Sequence, residues 1–295
     1  MNYCTQMKAI YLLGAIWLYF ATAEVQAGEF ILTQVSDSVN KSQDTSWFNK
    51  NSRSYSQKGK FFLNVGFNWS GYGRSDINFD GPGYDFTLED VVGYDQPYKP
   101  SLQYNIHAGY YISERYSISV GYDHMKYVMK VPQSVKISGV IEPEISNPAI
   151  STGQFAGNYN NETVNVTPDF LTLEYTDGFN YVSTHLQRYD DIWVANNRKT
   201  SLALETGVAV GAVIPRADVK LFTVGTNNKL NIAGWGASAK AGLMFNFNKR
   251  LYFLTSWEAG HANMYRIHTT GRNDIDKASQ KLNFLQNLYL IGIRF

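Results

Sequence analysis

The feature that most constrains this chain is a period of two at its C-terminus. In Leu285-Gln-Asn-Leu-Tyr-Leu-Ile-Gly-Ile-Arg-Phe295, the residues Tyr289, Ile291, Ile293 and Phe295 fall on one side. Gln286, Leu288, Leu290, Gly292 and Arg294 fall on the other. Strand side chains alternate between faces, so this segment is a strand with one wholly apolar side. A domain in water gains little by ending on such a strand with a terminal aromatic. In a bilayer every backbone polar group must be paired within the protein, so strands cross only as a closed barrel with an apolar outer face.

The same alternation recurs upstream. A first strand spans Lys60 to Gly71, with Phe61, Leu63, Val65, Phe67 and Trp69 opposite Phe62, Asn64, Gly66, Asn68 and Ser70. A second, Leu102 to Ser113, is separated by Glu114-Arg115 from a third that carries Tyr116, Ile118, Val120 and Tyr122 on its apolar face. So short a separation predicts an antiparallel hairpin. A fourth is expected from Asp169, with Leu171, Leu173, Tyr175, Phe179 and Tyr181 facing lipid and Asp177 interrupting them. The fifth to seventh are expected over Thr200–Ile214, Asn231–Phe247 and Leu251–Tyr265. Short connections (Glu114-Arg115, Tyr189–Lys199, Asn248–Arg250) alternate with long ones at 72–101, 132–168, 215–230 and 266–280. The expectation is an all-β fold, a transmembrane antiparallel up-and-down β-barrel of eight strands, with short periplasmic turns and long extracellular loops. Within the second long loop, Ser134–Val140 and Gln154–Val166 are strand-like and predict a projecting hairpin.

The N-terminus fits that destination. Lys8 precedes an apolar run from Ala9 to Ala23, and Val25-Gln26-Ala27 forms a small-x-small cleavage pattern. Residues 1–27 therefore read as a signal peptide. Residues 28–59 read as a flexible periplasmic leader and 60–295 as the barrel. Both termini are expected in the periplasm, because eight crossings return the chain to its starting side. The only cysteine, Cys4, lies before the apolar run, so disulfides and thiolate chemistry are not expected in the mature chain. The 21 Tyr, 17 Phe and 6 Trp suit aromatic girdles at the two membrane interfaces. A formal net charge of +1 without a basic run argues against a nucleic-acid partner.

From about residue 60 to 295 the chain resembles the small eight-stranded outer-membrane barrels, the OmpA-, OmpX- and OmpW-like group. The resemblance rests on strand count, loop alternation and the terminal Phe295, and no periplasmic domain follows the last strand. It implies residence in the bacterial outer membrane and contact with outer-membrane lipids and lipopolysaccharide. It also implies delivery by the barrel assembly machinery, with Tyr289, Ile291, Ile293 and Phe295 as the assembly signal.

An eight-stranded barrel is just wide enough for side chains to fill. The inward positions are expected to hold a polar network of His107, Asp123, Glu174, Glu205, Lys240, Glu258 and Arg294. One outcome is a packed polar core that closes the barrel; the other is a narrow gated ion path in which Lys240 or Arg294 exchanges carboxylate partners. Lipid A-modifying enzymes occupy similar barrels, and the deacylase family carries His and Ser two apart on a strand. Here only Ser183 and His185 stand so, in reversed order, with Asp190 or Asp191 further on; they are expected near the periplasmic end of the fourth strand. No catalytic or cofactor-binding residue is expected. Asp76, Asn78 and Asp80 match half of a calcium loop, but its twelfth position is Thr87 rather than Glu. The histidines are too scattered in sequence for zinc spacing. The function expected is therefore non-enzymatic, structural or surface-binding, through loops rich in Tyr and Asn (Tyr84, Tyr94, Tyr98, Asn158, Tyr159) and an undefined extracellular ligand. A porin-like channel and a lipid A-modifying enzyme are the alternatives.

Overall fold

The computed structural model describes residues 52–98, 102–145, 149–225, 229–269 and 275–295. The segments expected as signal peptide (1–27) and as leader as far as residue 51 lie outside them. Eight strands form the ring: β1 (Phe61–Tyr72), β2 (Tyr104–Tyr111), β3 (Tyr116–Met125), β4 (Phe179–Val194), β5 (Ser201–Pro215), β6 (Gly234–Asn246), β7 (Leu251–His268) and β8 (Lys277–Arg294). Each pairs antiparallel with its sequence neighbour, and β8 closes on β1 along Phe62–Tyr72. Closure leaves no open edge in the ring, which is the condition for a sheet to cross hydrocarbon.

Register fixes the barrel's dimensions. Following paired residues around the ring from Phe61 leads through Tyr110, Ile118, Leu186, Val208, Ala239, Ala259 and Leu285. The path returns to β1 at Gly71, ten residues further along. For eight strands that stagger tilts them about 40° and sets a radius of about 8 Å. The outward residues are those the alternation predicts. Leu63, Val65, Ile106, Ile118, Val120, Val208, Val210, Leu243 and Ile291 are exposed and form an apolar belt. Aromatics rim it at both ends, with Phe61, Tyr110, Tyr116, Phe247 and Phe295 at the end carrying the short turns, and Trp69, Tyr104 and Trp235 at the other.

The fourth strand departs from the expectation. Leu171–Glu174 is a separate strand outside the ring, and the barrel strand starts only at Phe179, after Gly178 at φ +138°. A bulge between Asp191 and Trp193 carries it on to Val194, well into the expected Tyr189–Lys199 turn. Leu171, Leu173, Tyr175, Phe179 and Tyr181 are all fully buried rather than lipid-facing. An apolar face is equally satisfied by lipid or by protein, and here protein covers it.

That cover is a dome built from all four long connections, where loops were expected. Ser75–Gly81 pairs with the outer end of β8 through Ile77–Asp80 and forms a hairpin with Tyr84–Val91. Gln133–Ile141 and Gly157–Val166, close to the predicted hairpin, extend this sheet. A second sheet joins Gly93–Tyr94, Val128–Met129, Leu171–Glu174 and Asp218–Leu221. Phe79, Phe86, Leu88, Ile137, Phe170, Leu173 and Val219 share one buried core with Tyr181, Val213, Met264 and Phe284 of the upper lumen. The fourth long connection shrinks accordingly, because β7 runs to His268 and β8 begins at Lys277.

At the opposite end the last leader residues are tied down. Arg53 Nε donates to Asp191 Oδ2 at 2.8 Å, and Ser54 N to Arg198 O at 3.0 Å. Tyr55 donates to Asn248 O at 3.2 Å, while Ser56 and the Gln57 backbone N–H donate to Glu114. This strap reaches the three short turns between barrel strands, and Gln57 is buried. Residues 53–57, expected within a flexible leader, thus bond to all three turns, each of which offers an acceptor that the alternation pattern could not reveal.

Candidate functional site: the polar layer of the lumen

Below the dome core, inward positions of neighbouring strands meet at matched heights. His107 on β2 lies beside Gly121 and Asn64, and Asp123 on β3 lies beside Asn105 and Tyr181. His185 on β4 lies beside Ser119 and Ala209, and Lys240 on β6 directly opposite Glu258 on β7. All five charged or imidazole side chains are buried, as is Glu205 on β5.

Two groups result. In the first, His107 Nε2 lies 2.7 Å from Asp123 Oδ1, which also accepts from Asn105. His185 Nε2 lies 2.7 Å from Ser183 Oγ, and the two imidazole rings are 4.9 Å apart between centroids. Gly121 makes this approach possible, since a Cβ there would sit 2.7 Å from His185 Nε2 and 2.9 Å from His107 Cδ2. In the second, Lys240 Nζ is 3.5 Å from Glu205 Oε1, and Ser238 donates to Glu258 Oε1 at 2.5 Å. Burying ions in such a space is tolerable only with partners of opposite charge and added hydrogen bonds.

The polar layer is bounded below by Phe62, Tyr111, Tyr189, Met244, Tyr252, Leu288 and Leu290. Arg294 occupies that floor. Its guanidinium lies 4.0 Å from the centroid of the Tyr252 ring, and it donates to Asn246 Oδ1 at 2.7 Å and Tyr111 Oη at 3.2 Å. Its hydrogen-bond partners among the described residues include no carboxylate.

Of the seven residues expected in the lumen, His107, Asp123, Glu205, Lys240, Glu258 and Arg294 line it. Glu174 does not: it ends the dome strand paired with Asp218, half-buried, because the barrel begins after it. Burial and the neighbouring Asp218 raise its pKa. Ser183 and His185 do meet, but in the half of β4 nearer the dome, with Ser183 four residues from Phe179, rather than at the end of the strand next to the short turn where they were expected. Asp190 and Asp191 are engaged elsewhere, with Arg188 and Arg53. Asp76, Asn78 and Asp80 line one face of the dome hairpin instead of wrapping a loop. Asp76 accepts from Asp90 N, Asn78 donates to Asp85 and Thr87, and Asp80 pairs with Lys277 at 2.9 Å. Tyr289, Ile291, Ile293 and Phe295 face outward, with the Tyr289 ring stacked on Phe67 at 5.4 Å. Ser183, Ser238 and Asn105 were not expected in the network, although their strand parity marks them as inward.

No family model and no curated protein matches this chain. Solved structures that align with it include the outer membrane protein OprG from Pseudomonas aeruginosa, at 10% identity over 81% of this chain and 97% of that one, with a TM-score of 0.38. Ail, the attachment invasion locus protein of Yersinia pestis, aligns at 13% identity over 81% and 99%, with a TM-score of 0.30. Neisserial surface protein A aligns at 10% identity over 81% and 100%, with a TM-score of 0.30.

Proposed function

We propose that this chain is a non-enzymatic bacterial outer-membrane protein that works at the cell surface through its β-dome, with the barrel as a closed anchor. The observation that carries this reading is the single apolar core running from the dome into the upper lumen. A continuous packed core over the mouth leaves the dome surface as the accessible face, and binding usually resides on elements that a rigid scaffold positions. The channel reading requires a continuous wet path, yet the polar layer lies between two apolar layers. The lipid A reading requires a substrate to reach Ser183, whose side chain is buried in the lumen.

The test is to delete Pro132–Pro168, replacing it with a short turn, and to measure attachment of cells carrying the variant to host-matrix and cell surfaces. Loss of attachment with the barrel still folded is the expected result; unchanged attachment refutes the surface-binding role. Stable currents in planar bilayers that change ion preference in Lys240→Ala would favour the channel. Altered lipid A acylation abolished by Ser183→Ala would favour the enzyme.

A further inference from the structure

We propose that His107, Asp123 and His185 form a binding site for one divalent transition-metal ion inside the barrel lumen. Ligating atoms from the three buried side chains lie within 4.8 Å of one another. Two imidazoles and one carboxylate are a donor set suited to zinc, cobalt, iron or nickel. In a tetrahedral site with bonds of about 2.0–2.2 Å, ligand atoms stand about 3.4 Å apart. Small side-chain rotations therefore convert the present cluster into a coordination shell, with no movement of β2, β3 or β4.

Three further observations point to an ion. The floor of the cluster is Gly121, where any Cβ would intrude between the imidazoles. Asp123 Oδ2, buried with the rest of its side chain, carries no hydrogen bond, so one carboxylate oxygen is available for a ligand bond. The surrounding charge is also unbalanced. Asp123, Glu205 and Glu258 act on the one ammonium of this layer, Lys240. Three carboxyl groups thus share one ammonium, an excess of acidic over basic side chains that a cation would offset. Ser183 Oγ, beside His185 Nε2, is placed to hydrogen-bond a water in the fourth position.

The outer shell is thin, since Nδ1 of both His107 and His185 lacks a partner. Missing outer-shell acceptors typically weaken a metal site by 10–100-fold. Selection for strongly bound metals is therefore modest, and loading during folding is favoured over entry through the closed barrel. Neither point depends on what the dome binds.

The experiment uses the full mature chain without a histidine tag, loaded with Co(II) both by refolding in its presence and by addition to the folded barrel. Folding is checked by the change in gel migration on boiling. The expected result is one Co(II) per chain with visible ligand-field absorption, lost in His107→Ala and in His185→Ala and kept in Ser183→Ala. Absence of bound cobalt under both loading regimes overturns the proposal. So does absorption that persists in both folded histidine variants, which would put the ion elsewhere on the chain. If neither variant folds, X-ray absorption of the wild-type cobalt form decides: two imidazole ligands support the site, and fewer than two overturn it.

Discussion

Lys240→Met probes whether the lumen is as dry as its layering implies. Lys240 Nζ lies 3.5 Å from Glu205 Oε1, both side chains are almost wholly buried, and Glu258 stands across the strand pair. At an effective dielectric constant of about 20, unit charges at that separation attract by about 5 kcal/mol. Removing the ammonium forfeits this attraction and leaves the buried Glu205 and Glu258 carboxylates without the cation they share. Breaking one member of a buried pair typically costs about 3–5 kcal/mol, with proton uptake by the carboxylates limiting the loss. With a urea slope of about 2 kcal/mol per molar, the unfolding midpoint falls by about 2 M. The assay is reversible urea unfolding in lipid vesicles, followed by tryptophan fluorescence and by gel migration without boiling. Lys240→Met with Glu205→Gln should recover part of the loss, because one of the stranded charges is gone. A loss under about 1 kcal/mol, the range of exposed ion pairs, would refute the reasoning by showing that water screens the layer.

Three other perturbations separate the parts of the structure. Val208→Lys, in the middle of the apolar belt, should destabilise the barrel in lipid by about 2–4 kcal/mol, whereas Phe61→Lys at the rim should cost about 0–1 kcal/mol; equal effects would contradict the assigned belt. Asp95, in the loop above β1, accepts from Ser70 N at 2.7 Å, and burial raises its pKa from 3.8 to about 6. Because the folded state favours the neutral acid, its contribution to stability is full below about pH 4 and is lost as pH rises through about 6. Asp95→Asn should therefore stabilise the protein at pH 7.5 by about 1–2 kcal/mol and change little at pH 4, as read from paired unfolding curves; an equal effect at both pH values would count against a buried carboxyl. Removing residues 52–58 should leave the ring closed but lower stability by about 1–3 kcal/mol, since one part-buried charge-assisted bond and the strap's backbone bonds are lost; an unchanged midpoint would show that the strap is not held in solution.

The ring was legible in the sequence because its signal is local. Alternation needs only neighbours two apart, so the outward faces of β1, β2, β3, β5, β6 and β8 could be assigned residue by residue. The same rule erred where an apolar face had a second way to be buried. Leu171, Leu173 and Tyr175 alternate as lipid-facing residues do, but they lie in the dome core. The strap shows no periodicity, since its bonds run from residues 53–57 to turns 57 to 193 positions away. For the lumen, parity named most of the polar residues while their grouping stayed hidden. Three histidine and aspartate positions 16 and 62 residues apart carry no spacing signal for a metal.

The sequence by itself determined the strand count, the inward and outward faces of the ring and the placement of Phe295 on the exterior. These follow from the two-residue period of the strand and from the need to pair every backbone group. Only the tertiary structure decided the stagger of ten, and with it which inward residues share a height. The tight β2–β3 turn sets His107 beside Gly121, but only the pairing of β3 with β4 brings His185 next to it, and tertiary packing joins the long loops into one dome. Pairing between distant strands is a property of closure, and no local pattern in the chain encodes it.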